Sequence, residues 1–193
     1  FTTDFDPSAS SNNLGCAGFD DVFILKLDSA LNFTWVKSIG GTNSEYPTRI
    51  GTDKFNNVIV TGYFTSPSIN LDPNGSVSGN VTNSGSRDGF ICKLDFAGNY
   101  IWSGKIGGTA DDRITGLAID TVGDIWIGGY FEGTSDLELG TGIQNYTAIN
   151  SVNSDIFFSK ISAVNFSPNK TFLPIFRRFA GRAKVSQTCV STS

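Results

Sequence analysis

The chain has 193 residues, with 18 acidic and 14 basic side chains, 22 glycines and neither histidine nor methionine. The lack of histidine excludes the Ser-His-Asp and Cys-His mechanisms and histidine-ligated metals, and no run of about 18 apolar residues offers a membrane helix. Length allows a substantial core, while uncharged polar residues far outnumber charged ones, the balance of a turn-rich β protein on the outside of cells.

No basic and apolar leader opens the sequence, and a start at Phe1 rather than Met leads us to expect a processed or excised chain. The charge is unevenly spread. All 18 acidic residues lie at or before Asp155 with eight bases among them, and six bases with no acid follow. A basic tail on an acidic body points to an acidic neighbour, its own body or another copy. Nucleic acid is not expected, because no aromatic-rich basic groove accompanies the tail.

Compared with itself, the sequence repeats at an offset of 67 residues. Asp21, Phe23, Ile24, Lys26, Leu27, Asp28, Trp35, Ile39, Gly40 and Gly41 recur as Asp88, Phe90, Ile91, Lys93, Leu94, Asp95, Trp102, Ile106, Gly107 and Gly108. Gly62, Tyr63 and Phe64 recur as Gly129, Tyr130 and Phe131, and Asp155, Phe157 and Lys160 begin a third copy. In chain order, residues 1–18 read as the end of a preceding unit, 19–86 and 87–154 as whole units, and 155–193 as a partial unit with a divergent basic tail.

Within 19–86 the pattern predicts strands at about 22–27, 33–39, 48–53 and 58–64, repeated 67 residues later. Turn residues separate them: Asp28 to Asn32, Gly40-Gly41 and Asn56-Asn57 in the first unit. Glycine-rich spacing and β-branched content disfavour helix. Val58-Ile59-Val60 and Ile125-Trp126-Ile127 are apolar at every position, so both faces of these strands are expected to be buried. If each unit forms one small sheet, the sheets before and after must cover it, as propeller blades cover one another. The fold class expected is therefore all-β, with propeller-type blades of four antiparallel strands and an incomplete ring within the chain. Phe23, Phe90, Trp35, Trp102, Tyr63 and Tyr130 are the expected repeat core; for a buried Trp, truncation to Ala costs about 3–5 kcal/mol. Segments 65–86 and 132–154 read as surface excursions, where binding specificity would sit.

Little catalytic chemistry is legible. The pairs Asp20-Asp21 and Asp111-Asp112 provide the carboxylates glycoside chemistry needs, but their strand-edge and turn context favours a structural role. Asp72-Pro73-Asn74-Gly75 opens like a calcium loop without the later glycine and bidentate Glu; turn capping and no cofactor is the expectation there, with bound calcium as the alternative. Cys16, Cys92 and Cys189 fit neither a zinc site nor a disulfide framework, leaving at most one bridge, Cys16 with Cys189. Asn32, Asn74, Asn80, Asn145, Asn165 and Asn169 head Asn-x-Ser/Thr acceptors.

The run Asp88 to Asp95, Trp102, Ile106 to Thr109, Ile119-Asp120 and Ile125 to Phe131 resembles the SBBP-type β-propeller repeat, and the likeness extends over residues 1 to about 162. The opening Phe1 to Pro7, echoed at Leu71-Asp72-Pro73, is similar to a strand-ending segment of its secreted bacterial members. The resemblance implies extracellular or cell-surface placement, often with type IX export, and carries no catalytic residues. Asp28-Ser29-Ala30 and Asp120-Thr121-Val122 are similar to the O-glycan signal of such bacteria, which makes Ser29 and Thr121 candidate acceptors. The pattern breaks from about Val164: Asn169, Pro174 and Ile175 stand where a Trp and a Gly-Gly pair belong. Either the last strands are specialised for capping or assembly, or a junction or reading-frame error enters there.

The expected function is non-catalytic and structural: blades joining further blades of a longer parent chain or of other copies head to tail, as a ring, fibre or surface layer. The alternative is a carbohydrate-binding or adhesin module of a larger secreted protein, with surface glycans as partners.

Overall fold

The computed structural model describes residues 2–140, 142–149 and 154–162. Among them there is no α-helix, and the described chain is all-β, arranged as several small antiparallel sheets. A hairpin of β1 (Thr2–Asp4) and β2 (Asn13–Gly15) leads into a first sheet of β3 (Val22–Leu27) and β4 (Phe33–Ile39). The central sheet follows, with β5 (Glu45–Thr52) and β6 (Val58–Phe64). The hairpin β7 (Ser68–Asn70) and β8 (Asn80–Thr82) intervenes before β9 (Asp88–Leu94) and β10 (Tyr100–Gly108) complete that sheet. A third sheet contains β11 (Arg113–Ile119), β12 (Ile125–Phe131) and β15 (Asp155–Ile161). Between its second and third strands run β13 (Thr134–Asp136) and β14 (Asn145–Thr147), which extend the central sheet from the end of β10.

The strands fall within a few residues of the periodicity, but their grouping differs from the expectation of one sheet per sequence unit. Residues 19–86 divide between two sheets: β3 and β4 belong to the first, whereas β5 and β6 pair onward with β9 and β10 of the next unit. The cause lies in the connections. Gly40-Gly41 and Gly107-Gly108 are not hairpin turns but crossings between sheets, packed so closely that a Cβ on Gly41 would lie 2.5 Å from Ser66 Cβ. The longer segment after β6 instead returns the chain for a full antiparallel register from Val58 opposite Leu94 to Phe64 opposite Asp88.

Burial on both faces is realised in the central sheet. Ile59 and Ile91 face a cluster that includes Trp102, Ile106, Ile114, Ile127 and Phe157. Val58, Val60, Phe90 and Cys92 face the opposite cluster, with Val22, Ile24, Ile39 and Leu71. The supposed surface excursions take part in this packing, a second departure from expectation. Ile69 and Leu71 from β7 and its continuation, and Leu137, Leu139 and Ala148 around β13 and β14, are all at most 6% exposed. Each short hairpin has one apolar edge, and the sheet end it crosses is where that edge escapes water.

Of the six expected core aromatics, Phe90 and Trp102 are buried while Trp35, Tyr63 and Tyr130 are half-buried. Phe23 is the exception at 56% exposed. Its ring lies 4.7 Å from that of Phe5, centroid to centroid, with no further sheet over this face among the described residues.

Four hairpins close with the same turn: Asp28 to Asn32, Asp53 to Asn57, Asp95 to Asn99 and Asp120 to Asp124. In each, the first Asp carboxylate accepts the backbone N–H of the last residue, at 2.8 to 3.0 Å. The residue before the last lies in the left-handed region, and it is Gly98 and Gly123 in two turns but Leu31 (φ 64°) and Asn56 (φ 61°) in the others. Left-handed backbone is unfavourable by about 1–2 kcal/mol for a residue with a Cβ, so Leu31→Gly is expected to stabilise the fold by about 1 kcal/mol once glycine's greater unfolded-state freedom is subtracted. Chemical denaturation measures this; an unchanged or lower midpoint would contradict it. By the same assay Phe90→Ala should destabilise by about 3–5 kcal/mol, and Phe23→Ala by far less.

Candidate interaction surface

The repeat allows each end of the structure to be compared with its own interior. Phe23, Phe90 and Phe157 occupy equivalent positions; Phe90 and Phe157 are 0% and 1% exposed, each covered by the preceding sheet. Among the described residues no sheet covers Phe23 in this way. On the opposite faces of the same strands, Ile24 and Ile91 are 2% and 0% exposed, whereas their counterpart Phe158 is 58% exposed and lies beside Ile156. The two outermost sheets therefore each present an apolar face of the kind that is packed in the middle of the structure.

Between the first and central sheets a cleft of about 760 Å³ is lined by Phe23, Tyr46, Pro47, Arg49 and Ile50. Ile50 is 62% exposed there, although its counterpart Leu117 packs against the core. Tyr46 stacks on Tyr63 with centroids 5.0 Å apart. The Arg113 guanidinium bridges Tyr63 and Tyr130 at 4.5 and 5.4 Å from their ring centres and is gripped by Asp111 at 2.6 Å.

The acidic pairs singled out in the sequence are fasteners. Asp21 accepts the backbone N–H of Ala17, and Asp20 the Ser44 hydroxyl. Asp111 binds Arg87 and Arg113, while Asp112 accepts the Gly108 N–H at 2.7 Å and the Ser135 hydroxyl. Glu45, 67 residues before Asp112, does the equivalent with the Gly41 N–H and the Ser66 hydroxyl. Identity matching overlooks that relation because Glu replaces Asp; its legible signal was an acid four residues after each Gly-Gly pair.

Asp72 accepts the Asn74 N–H in its turn, and no group of three or more metal-ligating side chains occurs among the described residues. Ser29, Asn32, Asn74, Asn80, Thr121 and Asn145 are all exposed. They are scattered over separate turns and hairpins, and the Asn32 side-chain amide is already committed to Asp28 at 2.9 Å. Cys16 is exposed and has no disulfide partner among the described residues, while Cys92 is buried with its thiol donating to the Leu71 carbonyl and its ionisation pushed up by burial. Cys189, Asn165, Asn169 and the divergent tail lie outside the described residues. No described helix is long and apolar enough to cross a membrane.

No family model matches the chain. An uncharacterized WD repeat-containing protein of Acanthamoeba polyphaga mimivirus is 31% identical over 109 residues, covering 50% of this chain and 8% of that protein. The regulatory protein FlaEY of Caulobacter vibrioides is 29% identical over 128 residues, covering 66% of this chain and 13% of its own length. The chain thus spans about a tenth of either relative. These similarities agree with the internal periodicity: this is a repeat-built protein.

Two classes of carboxylate follow from the geometry. The Asn32 side chain and N–H hold Asp28 below the ordinary range, as the Asn99 side chain and N–H hold Asp95; such groups favour the fold above the unfolded pKa, and that contribution is lost as pH falls through the folded value. Burial raises Glu45 and Asp112 despite their hydrogen bonds, so the folded state gains relative stability as pH falls through their raised values. Carboxyl ¹³C titration should place Glu45 above the usual Glu value and Asp112 well above Asp28 and Asp95; coincident aspartate midpoints would refute this division.

Proposed function

We propose that the chain is a non-catalytic structural segment of a secreted β-propeller of the SBBP type, whose sheets stack face to face and join further sheets of the same kind. Those sheets come from a longer parent chain or from other copies head to tail, closing a ring or extending a filament according to the rotation between them. The observation that carries this reading is Phe23, exposed at the position where Phe90 and Phe157 are sealed. The exposed Ile156 and Phe158 mirror it at the other end. Faces of this kind on an isolated molecule mark interaction sites. Extracellular or cell-surface placement is supported by the Asn-, Ser-, Thr- and Gly-rich composition and by the family resemblance.

The non-catalytic part rests on Asp21, Asp111 and Asp112, whose carboxylate oxygens are occupied by loop N–H groups, a hydroxyl and guanidinium groups. A carbohydrate-binding role finds less support. Segment 65–86 contains no aromatic ring, and Tyr146, the one aromatic of 132–154, packs against the core.

Sedimentation velocity on the 193-residue chain should show concentration-dependent association. Phe23→Asp and Phe158→Asp should each weaken it by about tenfold or more, since an aromatic anchor at the centre of an interface contributes roughly 2 kcal/mol or more. A folded chain that stays monomeric at every accessible concentration would sink the proposal.

A further inference from the structure

The unpaired end can be described strand by strand. In the central sheet β9 pairs with β6, from Val58 opposite Leu94 to Phe64 opposite Asp88, and in the third sheet β15 pairs with β12 in the same register 67 residues later. Strand β3 is their counterpart, yet it pairs with β4 alone among the described residues. Packing between sheets tells the same story. Strand β11 lies against β5, β6 and β9 of the sheet before it; its counterpart β5 lies against β3, the equivalent of β9, and the places corresponding to β5 and β6 are open as the cleft beside Ile50. An ion pair recurs at this junction as well. Lys93 meets Asp53 at 2.8 Å and Lys160 meets Asp124 at 2.5 Å, both carboxylates belonging to the turn that precedes the pairing strand. Their counterpart Lys26 instead donates to the Phe96 carbonyl.

Resting on the repeat reading above, we infer that the free edge of β3 and the adjoining cleft are a docking site for an antiparallel strand pair from the second half of a neighbouring repeat unit. Its sequence pattern is that of Glu45–Phe64 and of residues 112–131. The outer strand of the pair adds to β3 in the register that β6 keeps with β9, its inner strand covers Ile50 as β5 covers β11, and an aspartate of its turn reaches Lys26. An open strand edge supplies backbone hydrogen bonds to an added strand, and side-chain pockets select which strand is accepted. The selecting pockets are defined by continuity, because the chain already builds this junction at β6–β9 and β12–β15.

Two measurements test this. First, a labelled peptide of residues 43–65 is titrated into the full chain, with binding followed by fluorescence anisotropy and backbone protection by hydrogen exchange. Binding should slow exchange across residues 22–27 by about tenfold or more, the scale on which an interior strand exceeds an edge strand. Lys26→Asp should weaken binding, and a peptide carrying Asp53→Lys should bind that variant better than the native peptide does. Second, because an isolated peptide can fail to form its hairpin, residues 43–67 are placed directly before Phe1, which continues the 67-residue period upstream. The extended chain should show slowed exchange in β3 and a higher melting temperature than the 193-residue chain.

An extended chain whose β3 exchanges as fast as before overturns the inference, and so does a peptide that binds without protecting β3. Failure of the broader assembly reading looks different: the 193-residue chain never self-associates, whatever the exchange data show for β3. Association that persists in the extended chain with β3 protected places the remaining contact on the Ile156 and Phe158 face and leaves the inference standing.

Discussion

The structure depends on a sheet that is apolar on both sides. A strand such as Val58–Phe64 sends Ile59 one way and Val58, Val60 and Phe64 the other. Neither set can be left in water without losing about 25 cal/mol for each Å² of apolar surface. Only another sheet on each side satisfies both, so the central sheet presupposes the first and third. What holds for the centre holds by repetition for the flanks: their inward faces are satisfied by the central sheet, and their outward faces carry the same residue types with no further sheet against them among the described residues.

Polar groups set the geometry that this packing needs. Glu45 and Asp112 sit where the chain crosses from one sheet to the next, and each holds down the backbone of the glycine pair just before it. Burying a carboxylate is unfavourable unless hydrogen bonds compensate, and the compensation here ties the end of one sheet to the start of the next. The Asp turns at the opposite ends of the strands do a more local job. Within each five-residue turn the first Asp carboxylate takes the N–H of the last residue, and at Asp53 and Asp124 the same turns also reach a lysine of the neighbouring strand.

Much of this was legible in the sequence. The offset of 67 gave strand positions to within a few residues, and the continuous apolar run at Val58–Val60 announced burial on both sides, whereas in the run Ile125–Ile127 only Ile125 and Ile127 are sealed and Trp126, on the outer face, is half-buried. Grouping was harder to read. A Gly-Gly pair looks the same whether it turns a hairpin or permits close passage between sheets, and only the approach of Gly41 to Ser66 separates the two. The excursions misled because their short strands are embedded in Ser and Asn; three apolar side chains in some twenty residues suffice to anchor a hairpin but do not make a period. Phe23 shows the limit from another direction. Its equivalence to Phe90 was plain, but equivalence of residue does not carry equivalence of surroundings at the end of an array.

The central sheet draws β5 and β6 from one sequence unit and β9, β10, β13 and β14 from the next, and this staggering bears on how such genes change length. In a strictly periodic chain, duplication or loss of one full period adds or removes one whole sheet wherever the recombination breakpoint falls. No breakpoint has to coincide with a structural boundary. The overlap that obscures the sheets in the sequence thus makes the array tolerant of copy-number change.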